Sequence, residues 1–152
     1  MKTRILSIAT ANPPFEITQR EAKDAGRTMF RGRAALFDRL SGVFDNALID
    51  RRAIVAPIAW YETPHGWQER TELYVRSAEA LFDEVASAAL AKAGLSAADI
   101  DGILFVSTTG IATPSIEARL APRMGFRPNV RRVPVFGLGC AGGVSWNCSV
   151  EC

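Results

Sequence analysis

Cysteine, histidine, long apolar runs and charge of one sign are all scarce in this sequence, and each scarcity removes a class of protein. Of 152 residues only three are cysteine, and Cys140, Cys148 and Cys152 all fall in the last thirteen positions. Thiols bunched at one end make no disulfide framework and lack the paired C-x-x-C spacing of zinc sites, so a reducing, cytoplasmic setting is expected. The one histidine, His65, and the absence of any clustered ligand types leave no metal centre to expect. No apolar stretch approaches the length that spans a bilayer. Met1-Lys2-Thr3-Arg4 followed by residues 5–11 imitates a secretory signal, but Ser7 and Thr10 interrupt it and Pro13-Pro14 end it. With 18 basic against 16 acidic side chains, and no run of five like charges, no footprint for nucleic acid or lipid headgroups exists. What is present is 48% apolar and 22% charged residues, enough for one ordinary core and about one domain, which excludes a disordered chain.

Residues 4–11 read as a strand stopped by Asn12-Pro13-Pro14, since neither proline donates to a ladder. Thr18 with Glu21 three positions on predicts a capping box and a helix. Apolar side chains returning every three to four positions from Leu36 to Leu48 predict another, weakened slightly by Gly42. Residues 52–57 fit a short strand and 58–68 a surface excursion. Residues 70–93 carry two adjacent i+4 apolar rows and predict a long helix closed by Gly94. Ser96 with Asp99 begins a single turn, residues 102–107 read as a strand buried on both faces, and 115–124 as a helix. Residues 130–136 are the third strand, with Pro134 marking an edge or a bulge. Strands separated by helices predict an α/β sheet with its site at the carboxyl ends of the strands.

After that third strand come Gly137 and Gly139, Cys140, and small residues that open a helix. Glycines beside the cysteine permit a tight turn and close approach of a substrate, and a thiol at a helix N-terminus has its thiolate favoured by the partial charge there. Composition alone also admits a buried packing cysteine.

The block Gly137-Leu138-Gly139-Cys140-Ala141-Gly142-Gly143, preceded by Gly125-Phe126-Arg127-Pro128-Asn129-Val130-Arg131-Arg132-Val133 and by Val106-Ser107-Thr108-Thr109-Gly110-Ile111-Ala112-Thr113-Pro114, resembles the type III polyketide synthases, the chalcone synthase family of thiolase-like condensing enzymes. The resemblance runs from the amino-terminal strand to Ser145, and the chain is similar to the amino-terminal part of a bacterial member. It implies a truncated thiolase-like α/β half-domain over 1–145, with a mixed sheet and helices on both faces. It implies an acyltransferase that takes an acyl group from an acyl-CoA starter onto Cys140 and extends it with malonyl-CoA by decarboxylative Claisen condensation, with no cofactor beyond these substrates. A thiolate suits that task, because the acyl group it accepts remains an activated thioester.

By the same resemblance, Thr108, Thr109 and Thr113 align with positions that line the starter pocket or the subunit boundary. Hydroxyls at a strand end also satisfy local backbone groups. Arg51 and Arg52 fall where the family places basic residues near the CoA phosphates, although Asn46 stands where a lysine is common; solvated surface charge is the alternative reading. A homodimer paired through the third strand is implied, since an uncovered apolar edge invites a partner.

The family's chemistry also needs a histidine and an asparagine from its carboxyl-terminal half to polarise the thioester. His65, in a Pro/Gly loop, is expected to be a solvated surface group and no substitute. Residues 146–152, Trp-Asn-Cys-Ser-Val-Glu-Cys, depart from the family's small-residue helix. Their codons, shifted by one nucleotide, admit that helix, so a frameshifted or truncated gene product without activity of its own is expected, which sequencing the coding DNA checks. A ketoacyl synthase of fatty-acid synthesis and a non-catalytic dimerisation remnant are the competing functions.

Overall fold

The computed structural model describes residues 4–143, which form two compact units: the contiguous stretch 12–66, and the segments on either side of it.

In the contiguous unit, β1 (Phe15–Thr18) runs straight into α1 (Gln19–Met29). The predicted capping box is there: the Glu21 N–H donates to Thr18 Oγ1 at 3.2 Å, and the Thr18 N–H donates to Glu21 Oε2 at 2.7 Å. The Thr18 N–H, and after it the Thr18 hydroxyl, which donates to the same oxygen at 2.8 Å, hold the Glu21 carboxyl below its ordinary value. The single helix expected over 36–48 is two, α2 (Ala34–Leu40) and α3 (Gly42–Asn46). The break falls at Ser41, whose hydroxyl donates to Asp38 O at 3.1 Å and so competes with the backbone ladder, just before the poor helix former Gly42. Leu48 leaves the helix altogether at φ +52° and is 92% exposed. Phe37 is buried, with its ring 6.1 Å from Phe30 and 6.2 Å from Phe44. A Cβ on Gly26 would come 2.9 Å from Phe37 Cε2, so α1 packs on that ring only through a glycine. The expected short strand is β2 (Arg51–Ile54), antiparallel to β1 with Thr18 opposite Arg51 and Phe15 opposite Ile54. β1 itself is an element that periodicity missed, because four residues between a proline pair and a helix cap carry too few alternations to register. The surface excursion holds one short helix, α4 (Ile58–Tyr61).

The second unit is organised by α5 (Trp67–Ala93), which starts three residues before the predicted helix. It ends as Gly94 predicts. Gly94 has φ +68°, its N–H donates to Ala91 O, and the Leu95 N–H donates to Leu90 O, the paired bonds of a Schellman cap. Ser96 and Asp99 form a second capping box on a 3-10 turn. β3 (Gly102–Ser107), α6 (Ile116–Leu120) and β4 (Arg131–Phe136) follow, with β3 and β4 in parallel. Pro134 pairs opposite Phe105 with no bulge. α6 is shorter than expected, since the chain turns out through Gly125 at φ +79°. Ile103, Ala121, Phe126 and Val130 form the buried core, with Phe82 and Leu90 of α5 packed against it. Of β3 only Ile103 is buried and residues 104–107 are half-buried, so the expectation of a strand covered on both faces is not met.

Residues 4–11 are not a strand either. Among the described residues none pairs with them in a ladder. They are tied instead to α5, by the Ser7 hydroxyl donating to Ala89 O at 2.8 Å and the Lys92 ammonium donating to Ile8 O at 3.2 Å. Strand propensity without a neighbouring edge yields no ladder. Among the described residues no helix is long and apolar enough to cross a membrane. The expectation for 146–152 lies outside the described residues, as do Cys148 and Cys152.

Candidate active site

Parallel pairing sets the site. β3 and β4 run in the same direction with Ser107 opposite Phe136, so the segments that follow them, 108–110 and 137–141, leave the sheet at one end. Gly137 at φ +83° and Gly139 at φ +51° adopt backbone that side chains rarely tolerate. They turn the chain out of β4 into the 3-10 turn Gly139–Ala141, which presents Cys140. The thiol is exposed, so Cys140 is not a packing cysteine. Gly142 is buried behind it, and a Cβ there would come 2.5 Å from Val106 Cγ1. Glycine therefore lets the backbone after the cysteine seat on β3. The helix expected beyond Gly143 lies outside the described residues.

On the β3 side the Tyr74 hydroxyl of α5 donates to Ser107 Oγ at 2.8 Å, and Ser107 Oγ donates to Gly110 O at 2.8 Å. The Tyr74 ring stands where a Gly110 side chain would go, 2.4 Å from the site of its Cβ. This relay pins the turn that displays Thr108 and Thr109, both exposed and both lining a cavity of about 590 Å³ with Tyr74 and Phe105. The hydroxyl that satisfies a backbone group at this strand end is that of Ser107, on the Gly110 carbonyl, with Tyr74 behind it. Tyr74 was missed because it occupies one of the apolar i+4 rows of its helix and reads there as core.

Thr113 stands apart from that pair, in a separate cavity of about 460 Å³ beside Glu72, Arg76 and Glu79. Arg119 ion-pairs with Glu79, and Arg123 Nη1 lies 3.6 Å from the same carboxylate, tying α6 to α5. Arg51 and Arg52 belong to the other unit. Arg51 is exposed and ion-paired with Glu16, whose hydrogen bond holds the guanidinium still more firmly protonated. Arg52 is half-buried and donates from Nε to Gln19 Oε1 at 2.8 Å. His65, expected to be solvated, is half-buried, its ring stacked 4.0 Å from that of Trp60 and its Nε2 2.8 Å from Trp60 O.

An exposed cysteine on a glycine turn, at the carboxyl end of parallel strands with a long helix packed on them, is the arrangement of a thiolase-like condensing enzyme. Residues 2–148 match the N-terminal domain of chalcone and stilbene synthases, and the chain belongs to that family, the type III polyketide synthases. It is 37% identical over 143 residues to 1,3,6,8-tetrahydroxynaphthalene synthase of Streptomyces peucetius subsp. caesius, covering 94% of this chain and 38% of that one. It is 28% identical over 135 residues to phloroglucinol synthase of Pseudomonas fluorescens, covering 88% of this chain and 38% of that one. The solved tetrahydroxynaphthalene synthase of Streptomyces coelicolor A3(2), a bacterial type III polyketide synthase, superposes with a TM-score of 0.84 at 31% identity, over 95% of this chain and 42% of the other. The chain thus spans about two fifths of the length of these relatives. Membership decides between the two condensing-enzyme readings of the sequence in favour of the polyketide synthase.

Proposed function

We propose that this chain supplies the nucleophile-bearing part of a type III polyketide synthase, with Cys140 as the acyl acceptor. The observation that carries this is the exposed Cys140 on its Gly137–Gly139 turn, at the sheet end it shares with Thr108 and Thr109. The Cys140 thiolate attacks the carbonyl of an acyl-CoA, the carbon–sulfur bond to CoA breaks, and the CoA thiolate leaves to take up a proton. Malonyl-CoA then loses CO₂, the electron pair of the broken carbon–carbon bond becomes an enolate, and its carbon attacks the acyl-cysteine carbonyl. The new carbon–carbon bond forms as the cysteine thiolate departs.

Thr108 and Thr109 line the path of the starter, and Thr113 is assigned to the subunit boundary beside it. Of the two arginines, exposed Arg51 is the one reserved for the CoA phosphates. The histidine and asparagine that polarise the thioester are assigned to sequence outside these 152 residues, because His65 is engaged by Trp60 and Thr63 in its own loop. Two chains are assigned to pair through β4, whose second edge carries no strand among the described residues.

The test is intact-mass measurement after incubation with acyl-CoA. An acyl adduct on Cys140 that is absent from Cys140→Ala is the expected result. A folded chain that takes no adduct, or takes it elsewhere, sinks the reading and leaves a non-catalytic role.

A further inference from the structure

The contiguous 12–66 unit holds a cavity of about 550 Å³ that none of this chemistry uses. That volume lies in the range of sites for small organic ligands. Met29 of α1, Phe30 just after it, Leu40 of α2, Val43 of α3 and Ile54 of β2 contribute to an almost wholly apolar wall, and among the described residues Arg52 is the one charged side chain that lines it. The first four are between 49% and 63% exposed, so the groove opens to solvent along an apolar lip.

Strand alternation puts Arg52 there. Arg51 points to solvent and meets Glu16, whereas Arg52 and Ile54 turn to the opposite side of β2. A relay then orients the guanidinium: the Gln19 side-chain N–H donates to Phe44 O, and Gln19 Oε1 accepts from Arg52 Nε. This consumes Nε and leaves the Nη1 and Nη2 edge, and among the described residues no carboxylate pairs with it. A half-buried cation with a neutral partner, at an apolar groove, is matched by a molecule with one anionic head and an alkyl body. A polyanion such as coenzyme A would set several charges against apolar walls.

We propose that this groove binds a free long-chain alkyl carboxylate, its head taken by Arg52 Nη1 and Nη2 and its chain laid along Met29, Phe30, Leu40 and Val43. The lining residues belong to the 12–66 unit alone, and the proposal does not rest on the reading given for Cys140.

Calorimetric titration of the folded chain with dodecanoate, well below micelle-forming concentrations, tests it. Saturable one-to-one binding is expected, with methyl dodecanoate about ten-fold weaker. Arg52→Gln should weaken dodecanoate about ten-fold or more and leave the methyl ester unchanged. Val43→Trp, at an exposed position that fills the groove, should abolish both. If Arg52→Gln fails to fold by circular dichroism, Arg52→Met, which keeps the stem and removes the cation, is read in the same way. Absence of saturation, equal binding by the arginine variant, or displacement of dodecanoate by free coenzyme A overturns the proposal. So does a dimer in sedimentation that Val43→Trp dissociates and dodecanoate leaves intact, since a second copy would then occupy the groove.

Discussion

Gly142 lies against Val106 so closely that a Cβ on the glycine would come 2.5 Å from Val106 Cγ1. The atom in the way belongs to a stiff β-branched side chain on a paired strand, so it has little room to yield. Gly142→Ala should therefore cost about 1–3 kcal/mol, the usual penalty of overpacking, and displace the Cys140 turn. Val106→Ala in the same chain should restore part of the loss. Denaturant unfolding of the four proteins in this cycle measures it, and purely additive effects would show that the contact does not constrain the turn.

Cys140 is exposed, and alkylation should find it. In a Cys148→Ser, Cys152→Ser background, iodoacetamide should modify the folded chain once, at Cys140, and acyl-CoA should slow the reaction. Labelling that acyl-CoA leaves unchanged would separate the cysteine from any acyl site.

The Tyr74 hydroxyl is the outer donor of the relay through Ser107 to Gly110. Tyr74→Phe keeps the ring and removes one hydrogen bond, so a loss of about 0.5–1.5 kcal/mol is expected. Amide exchange should rise first at residues 108–110. Gly110→Ala should be worse, because it drives a methyl group into the Tyr74 ring.

Glu117 is fully buried; Ser115 Oγ donates to its Oε1 at 2.6 Å, while its Oε2 has no partner among the described residues. Ser115→Ala leaves both carboxylate oxygens unpaired and should cost about 1–3 kcal/mol. Adding Glu117→Leu to that variant should recover stability, because an apolar side chain of similar size needs no donor. Thermal unfolding of the two variants decides the order.

Two exposed carboxyls carry the acid response that can be assigned. Glu21 is held below its ordinary value of 4.5 by the Thr18 backbone N–H and hydroxyl, and Asp99 below its ordinary 3.8 by the Ser96 hydroxyl and N–H. The folded state binds fewer protons there than the unfolded one. The stability they contribute is therefore present above those ordinary values and is lost as pH falls through the lower folded ones. Glu21→Gln and Asp99→Asn should flatten the decline of the unfolding midpoint below about pH 4.5. An unchanged slope would remove the two caps from the account.

Local chemistry was legible in the sequence wherever a few adjacent residues decide the outcome. Both capping boxes, the Gly94 stop and the glycine turn before Cys140 depend on neighbours within about one helical turn. What could not be read depends on a partner distant in sequence. Residues 4–11 have strand composition yet no strand beside them among the described residues, and Tyr74 reads as core because the partner of its hydroxyl, Ser107, is 33 positions away. The break at Ser41 was half legible: Gly42 marked the weak point, and the Ser41 hydroxyl completed it. The site divides in the same way. Cys140 and its turn are a contiguous motif, whereas Thr113 lines a different cavity from Thr108 and Thr109, with Glu72, Arg76 and Glu79 of α5, more than thirty positions away in sequence.

The threading of the chain also sets an order of assembly. The 12–66 unit is one uninterrupted stretch, and its capping box closes within three residues and its Glu16–Arg51 ion pair within 35. Residues 4–11 meet α5 through bonds that bridge 82 and 84 positions, after the whole intervening unit has been passed. Loop-closure entropy grows with that span, and what rewards it among the described residues is two hydrogen bonds from exposed or part-buried groups and the half-buried Ala9 and Ala11, which line a cavity with Leu81, Phe82 and Val85 of α5. Docking of the leading segment is therefore the slow, late event, and its release needs the least free energy. In pulse-labelling exchange its amides should gain protection after those of α1 and α5. In limited proteolysis the first cut should fall before Asn12, with α5 and the Cys140 turn still intact.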